Sequence, residues 1–166
     1  MVINKEQRIG IFVDVQNMYY SARALHDSRV NFKEIIKEAV NGRKLVRAIA
    51  YAVKAGEKDE ESFHTALDKI GFEVKLKELQ VFYGGNKKAD WDVGLAIDSI
   101  ELAPKLDVVV LVSGDGDYIP LVEHLKRAMG CKVEVLAFGR SCSGKLKEAA
   151  DEFVDLDSKR FVFTSR

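Results

Sequence analysis

The stretch Ile9-Gly10-Ile11-Phe12-Val13 is a short, continuous apolar run that ends at Asp14. Such a run is typical of a buried central strand in a parallel sheet, because both faces of that strand are covered. The run Asp107–Val112 is the most apolar of the chain and has the same character. The two runs therefore predict the central strands of a parallel sheet.

Segments with helical periodicity alternate with further apolar runs. We expect additional strands at Leu45–Val53, Phe72–Phe82, Lys132–Phe138 and Phe153–Leu156, with Phe72–Phe82 a more exposed strand or strand pair. We expect helices at Tyr19–Leu25, Phe32–Val40, Glu60–Ile70, Trp91–Ala103, Tyr118–Met129 and Gly144–Ala150. This βαβ rhythm predicts an α/β fold of the Rossmann-like type, a mostly parallel sheet with helices on both faces, in a single domain over residues 1–166.

The composition excludes some classes of protein. The chain has 166 residues, of which 26 are basic and 26 acidic, so its formal net charge is zero. A protein that coats nucleic acid or a membrane through bulk positive charge is therefore not expected. The N-terminus lacks an apolar signal core and no apolar run is long enough to span a bilayer, so we expect a cytoplasmic protein without a membrane partner. Two cysteines, Cys131 and Cys142, are too few to predict a disulfide framework.

Acidic residues follow both predicted central strands. Asp14 ends the first strand, and Asp115 and Asp117 come directly after the strongest one. The carboxyl ends of neighbouring parallel strands meet at one edge of the sheet, where sites in such folds lie. Carboxylates crowded there repel one another unless a cation neutralises them, and hard oxygen ligands favour Mg²⁺ or Mn²⁺ over Zn²⁺. The sequence therefore predicts a divalent metal site.

Asp92 adds a carboxylate from a helix. It stands in the first predicted turn, in Asp90-Trp91-Asp92, where the helix dipole favours negative charge. Capping explains one aspartate there and leaves the other free to point at the site. Asp98 lies about 120° away from Asp92 on an ideal helix, so it is a weaker metal ligand.

Each of these acids also has a purely structural interpretation. Asp14 could cap the following helix with the help of Asn17, because Asp and Asn are preferred at helix starts. Asp115 and Asp117 stand beside Gly114 and Gly116, and Asp-Gly is common turn chemistry. The joint position of these acids at neighbouring strand ends favours the metal site.

A second motif suggests a nucleotide-binding loop. Gly139-Arg-Ser-Cys-Ser-Gly144-Lys145 is one residue short of a phosphate-binding P-loop and is followed by Leu146, which has no hydroxyl to bind Mg²⁺. We therefore expect no nucleotide cofactor. The polar side chains of this loop, near a helix start, remain candidates for contacts with a substrate phosphate: Arg140, Ser141, Ser143 and Lys145.

Three motifs occur in succession along the chain: Phe12-Val-Asp14-Val-Gln-Asn17, Lys88-Ala-Asp-Trp-Asp92-Val-Gly-Leu-Ala-Ile-Asp98, and Val112-Ser-Gly-Asp115-Gly-Asp117-Tyr118. In this order they resemble the NYN domain, specifically its LabA-like branch. The tail from Ser143 to Leu156 resembles the closing motif of that branch. The resemblance covers about residues 8–157, nearly the whole chain.

The resemblance implies a PIN-like fold, a three-layer sandwich, and Mg²⁺- or Mn²⁺-dependent cleavage of RNA. Asp14, Asp92 and Asp115 match the acids of the first strand, the helix start and the fourth strand. Asp117 matches a further acidic position, and Asn17 matches the polar residue that accompanies the first acid. The carboxylate that PIN enzymes commonly add from an intervening helix has no motif match in this chain.

Two functions follow as hypotheses. The first is a metal-dependent endoribonuclease, in which Lys87, Lys88, Arg140 and Lys145 contact backbone phosphates. The second is a catalytically silent module that binds RNA or a protein partner. The sequence leaves a homodimer open in both cases.

Overall fold

The computed structural model describes residues 3–78, 80–81, 87–88 and 91–163, with the backbone alone for 80–81 and 87–88. Four short 3₁₀ helices at 103–105, 116–118, 139–141 and 159–161 accompany the main elements. In chain order these are β1 (Arg8–Asp14), α1 (Val15–His26), β2 (Arg29–Val30), α2 (Phe32–Val40), β3 (Lys44–Lys54), α3 (Glu60–Ile70), β4 (Glu73–Glu78), β5 (Gln80–Val81), β6 (Lys87–Lys88), α4 (Asp92–Leu102), β7 (Val108–Val112), α5 (Ile119–Arg127), β8 (Lys132–Ala137), α6 (Gly144–Ala149), β9 (Glu152–Asp155) and β10 (Val162–Phe163).

Six strands form one parallel sheet in the order β4-β3-β1-β7-β8-β9. The first strand lies between β3 and β7, and Val13 is paired with Val112. Asp14 and Ser113 consequently leave neighbouring strands at the same edge of the sheet. The predicted α/β fold with a mostly parallel sheet is confirmed.

The core covers both faces of the central strands. Successive residues of a strand point to opposite faces, and six consecutive residues of β1 and all five of β7 are buried. Ile11, Phe12 and Val110 are fully inaccessible to solvent. Helices therefore pack on both sides of the sheet, and the apolar runs read from the sequence are its centre.

Several helix boundaries differ from the sequence predictions. The first helix begins at Val15 rather than Tyr19, because Asp14 caps it with a hydrogen bond from Asn17 N to Asp14 Oδ1 of 3.1 Å. Tyr118 belongs to a 3₁₀ turn and α5 begins one residue later. The two-stranded antiparallel sheet of β2 and β10 was not predicted, because two-residue strands leave no periodicity to read.

Two further sequence predictions agree with the structure: the end of the third helix and the exposure of the fourth strand. The helix Glu60–Ile70 ends at Gly71, whose φ of 123° suits glycine. Edge strand β4 is largely exposed, as its alternating sequence predicted. Cys131 and Cys142 are free thiols. Among the described residues, no helix combines the length and the apolar character that a bilayer crossing requires.

Candidate metal centre

Three carboxylates meet at the carboxyl end of the central strands. Asp14 ends β1, Asp92 begins α4, and Asp115 lies in the turn after β7. One oxygen of each lies within 4.8 Å of the others. Three elements far apart in the sequence thus bring three acids together, as their positions after strands and at a helix start predicted.

Asp14 is held by several donors in a nearly buried position. Its side chain is 9% exposed. Oδ1 accepts a hydrogen bond from Asn17 N, and Oδ2 accepts bonds from the Ser113 hydroxyl at 3.3 Å and the Tyr118 hydroxyl at 3.2 Å. Burial raises the pKa of Asp14 above its ordinary value, and repulsion from Asp115 adds to the rise, although these hydrogen bonds oppose it. The fold therefore orients the Asp14 carboxylate but does not fully compensate the cost of burying its negative charge.

Tyr118 links two of the three acids. Its buried hydroxyl contacts Asp14 Oδ2 and also interacts with Asp92. Burial, followed by the negative charges of Asp14 and Asp92, raises the pKa of Tyr118, so its hydroxyl remains protonated as a donor. Sequence reasoning gave Tyr118 no role, although its place directly after Asp117 within the third motif was the available signal.

Trp91 anchors the beginning of α4 and so places Asp92. The indole Nε1 donates to the Ala52 carbonyl at 2.8 Å, and the ring packs edge-on against Tyr51 at a centroid distance of 5.3 Å. A Cβ on Gly94 would approach the Trp91 ring to 2.6 Å, so the glycine makes room for this packing. The Trp-Asp-Val-Gly sequence therefore fixes Asp92 against the sheet. Asp90, the other acid of this turn, lies outside the described residues.

Two hydrogen bonds between residues close in the sequence shape the turn after β7. Ser113 Oγ accepts from Asp115 N at 3.2 Å, and Asp115 Oδ1 accepts from Asp117 N at 2.9 Å. Asp115 is therefore both a turn residue and a member of the carboxylate cluster. The Asp117 side chain is exposed to solvent, and it is not one of the three acids whose oxygens converge.

Asn17 ties the first motif to the third. Its side-chain oxygen accepts a hydrogen bond from Gly114 N at 2.9 Å. A Cβ on Gly114 would approach Cys142 Cα to 3.1 Å, and Ser143 N donates to the Gly114 carbonyl at 3.0 Å. The loop of residues 139–143 therefore packs directly on the turn that carries Asp115.

The side chains predicted to contact phosphate have varied surroundings. Ser143 caps α6, and its Oγ would lie 3.0 Å from a Cβ on Gly116, so it packs on the turn that follows Asp115. Ser141 Oγ is 3.0 Å from Ser21 Oγ, and Arg140 pairs with Asp157 at 3.3 Å. Lys145 is exposed in α6. The side chains of the two remaining residues lie outside the described part of the structure: Lys87 and Lys88.

The loop 139–143 does not present a phosphate cradle. A P-loop directs successive backbone N–H groups at the phosphates. Here Gly139 N donates to Asp155 and Arg140 N to Asp157. The N–H groups of residues 141–143 donate to backbone carbonyls. All five groups are engaged within the protein, which argues against the nucleotide-binding alternative.

Asp98 projects away from the cluster, as its helical position predicted. Its Oδ2 accepts hydrogen bonds from Lys75 Nζ at 2.7 Å and from the Tyr51 hydroxyl at 2.8 Å. Asp98 therefore neutralises a lysine on β4. Glu60 of α3 likewise binds locally, to the N–H groups of Ala55 and Gly56. It stands apart from the three converging acids.

The donor set fits a hard divalent cation. Its ligand atoms are carboxylate oxygens, and neither histidine nor cysteine is among the three residues. Oxygen ligands of this kind suit Mg²⁺ and Mn²⁺, whereas zinc sites usually contain nitrogen or sulfur. Asp14, Asp92 and Asp115 are therefore the residues that could hold such an ion.

The chain is similar to two other proteins over nearly its whole length. LabA, the low amplitude and bright protein of Synechococcus elongatus, is 29% identical over 164 residues, which cover 94% of this chain and 87% of LabA. A crystal structure of a protein of unknown function from Vibrio parahaemolyticus superposes with a TM-score of 0.89 at 39% identity. The alignment covers 98% of this chain and all of that one.

A more distant structure shows the fold alone. The bacteriophage T5 flap endonuclease, solved with DNA and metal ions, has a TM-score of 0.51 at 15% identity. The match covers 81% of this chain and 56% of the endonuclease, and it supports the predicted PIN-like fold. The family model for the NYN domain matches residues 8–157, the range covered by the sequence motifs. The chain therefore belongs to the NYN domain family, with LabA among its relatives.

Proposed function

We propose that this protein is a metal-dependent endoribonuclease. The observation that carries the proposal is the convergence of Asp14, Asp92 and Asp115, with ligand oxygens within 4.8 Å of one another, at the carboxyl end of the sheet. A nuclease-type fold with such a cluster suits phosphodiester hydrolysis. When bound, Mg²⁺ or Mn²⁺ would supply activation of water and neutralisation of charge on the scissile phosphate.

The residues of the chain have distinct roles in this proposal. Asp14, Asp92 and Asp115 would be the direct ligands, with the Tyr118 hydroxyl beside the first two and the turn after β7 holding the third. Asp117 would act through bound water from the exposed rim. Asn17 would keep the first and third motifs in register through its bond to Gly114 N. Preset ligand positions reduce the ordering cost of binding.

The substrate strand would lie along the rim beside the cluster. Ser143 lies beside Gly116, next to Asp115 in the sequence, and the remaining proposed phosphate contacts come from the loop 139–143, α6 and β6. Because the net charge is zero, such local contacts would have to supply the electrostatic attraction for RNA. The proposed phosphate contacts are Lys87, Lys88, Arg140, Ser141, Ser143 and Lys145. We place the protein in the cytoplasm, where free thiols persist.

A matched pair of variants on α4 tests the proposal. With Mn²⁺, the wild type and Asp98→Asn should cleave RNA, whereas Asp92→Asn should not, because only Asp92 belongs to the cluster. EDTA should stop cleavage. The assay is a time course of mixed RNA substrates, with DNA of the same sequence in parallel. Cleavage that persists in EDTA, or that is equal in the two variants, contradicts the proposed mechanism.

The second candidate function is a silent module that binds RNA without cleaving it. The hydrogen bonds of Glu60 favour this silent module. They join the α3 carboxylate to the backbone N–H groups of Ala55 and Gly56 rather than placing it with the three converging acids. The assay above separates the two functions. Binding of RNA without turnover in any divalent metal supports the silent module, and salt-insensitive binding indicates a protein partner instead.

A further inference from the structure

Two large aromatic side chains are left on the solvent face of α1. Tyr19 is 47% exposed and Tyr20 is 60% exposed. Their rings meet edge-to-face, with centroids 5.4 Å apart and planes at 78°. The opposite face of the helix is packed in the core through Val15, Met18 and Ala22. Large aromatic side chains in an amphipathic helix are more often packed in the core, so the exposure of this pair needs another explanation.

The helix that carries this pair is fixed to the carboxylate cluster. Asp14 is its N-cap, and Asn17 in its first turn holds Gly114 N. Tyr20 follows Asp14 by six residues, which is about 9 Å along a helix axis at 1.5 Å per residue. At 3.4 Å per nucleotide of a stacked strand, that is about three nucleotides. A strand whose phosphate lies at the cluster therefore reaches Tyr20 within about three nucleotides.

Partly exposed polar side chains lie on α1 between Asp14 and Tyr20: Gln16 and Asn17. At 100° per residue, Tyr20 lies about 60° around the helix from Asn17, on its solvent side. Ser21, next to Tyr20, contacts Ser141 of the loop 139–143. Arg23 is exposed one turn further along α1. Asn17 and Arg23, each three residues from Tyr20, are its neighbours on the helix surface, and a polar group and a cation suit a nucleic acid strand better than an apolar protein surface.

We propose that Tyr20 is the stacking platform for an unpaired base of the substrate, with Tyr19 supporting its ring edge-on. This inference rests on the proposed function and narrows the substrate to strands with unpaired bases, because a base inside a duplex is already stacked on its neighbours. Stacking on an aromatic ring is tolerant of base identity. The platform therefore selects single-stranded segments rather than a sequence.

Binding of short oligonucleotides tests the platform separately from cleavage. Single-stranded RNA and DNA of the same sequence are titrated by fluorescence anisotropy with Ca²⁺ in place of Mn²⁺. Tyr20→Ala should weaken binding by about 5- to 150-fold, the effect of losing one stacked base. Tyr20→Phe keeps the ring and should bind within about threefold of wild type. A blunt-ended duplex without unpaired bases should be bound equally by all three proteins.

A scan of abasic positions identifies the stacked base. An abasic site at the contacted position should weaken binding to wild type but have no further effect on Tyr20→Ala. If no position shows this coupling, or if the wild type binds no single strand, the proposal is overturned. Loss of self-association in Tyr20→Ala with unchanged oligonucleotide binding also overturns it, because the face then joins two copies. Coupling without cleavage in any metal would sustain the platform and refute the nuclease.

Discussion

Asp115→Asn should melt at a higher temperature than the wild type when all metal is removed with EDTA. Two unit charges 4.8 Å apart repel by about 0.9 kcal/mol in water and about 3.5 kcal/mol at an effective dielectric constant of 20. The substitution removes one of three such charges. Asparagine keeps an oxygen that can accept the hydrogen bond from Asp117 N, so the turn is preserved. A gain of about 1–3 kcal/mol in the free energy of unfolding follows.

Mn²⁺ should reduce the lead of Asp115→Asn over the wild type. An ion that binds only the folded state stabilises it by about 2.7 kcal/mol at 100 times its dissociation constant. For a chain of this size that raises the melting temperature by about 5–11 °C. In Asp115→Asn the rise should shrink to half or less, because a ligand has been lost. Cleavage should fall by more than about 100-fold, since even residues outside the ligand shell affect metal sites by 10- to 100-fold.

The control for this experiment is Glu123→Gln, which removes one charge from the exposed side of α5. It should leave both the EDTA melt and the Mn²⁺ response close to those of wild type. Thermal melts of the three proteins, each with EDTA and with Mn²⁺, provide the measurement. If Asp115→Asn melts below wild type in EDTA and gains as much from Mn²⁺, Asp115 serves only the turn.

Replacing Arg43 by methionine should destabilise the fold by about 3–5 kcal/mol, or about 6–20 °C in melting temperature. Arg43 and Glu134 are 7% and 3% exposed and form two hydrogen bonds of 2.9 and 2.7 Å. The remaining guanidinium donors bind Gln7 and the carbonyls of Ala39 and Val40. Loss of the arginine leaves the Glu134 carboxylate buried without its main partner, and that is the source of the cost.

Two further variants distinguish this buried pair from an ordinary one. Lys44→Ala removes the neighbouring pair of Lys44 and Glu6, which is largely exposed, and should cost less than about 1 kcal/mol. Arg43→Met combined with Glu134→Leu should regain most of the lost stability, because no charge remains buried. Denaturant titration of each protein measures these differences. A cost below 1 kcal/mol for Arg43→Met alone contradicts the account of this pair.

The sequence was most informative where burial and chemistry coincide. The apolar runs at Ile9–Val13 and Asp107–Val112 occupy strands buried on both faces, where only apolar side chains are tolerated. The acids that follow those runs could be located because parallel strands end at one edge. Asp92 could be proposed from its place at a helix start and from the family motif, and helical geometry separated it from Asp98.

Other features depend on contacts between distant segments, which leave no local pattern. The Tyr118 hydroxyl could have faced solvent or the acids, and only the packing of its turn against β1 and α4 decides. The exposure of Tyr20 has no local pattern either, since a Tyr-Tyr pair in an amphipathic helix is usually packed in the core. The Arg43 and Glu134 pair joins residues 91 positions apart and could not be read from the chain.

Diffraction from crystals soaked in Mn²⁺ tests the central claim most directly, because the anomalous signal locates the ion independently of any activity. We predict an anomalous peak bound by carboxylate oxygens of Asp14, Asp92 and Asp115, at roughly 2.0–2.6 Å, the range of hard-cation sites. The same soak of Asp92→Asn should show a weaker peak or none. A peak held by other residues, or no peak between these three acids at saturating Mn²⁺, would contradict the assignment of the metal centre.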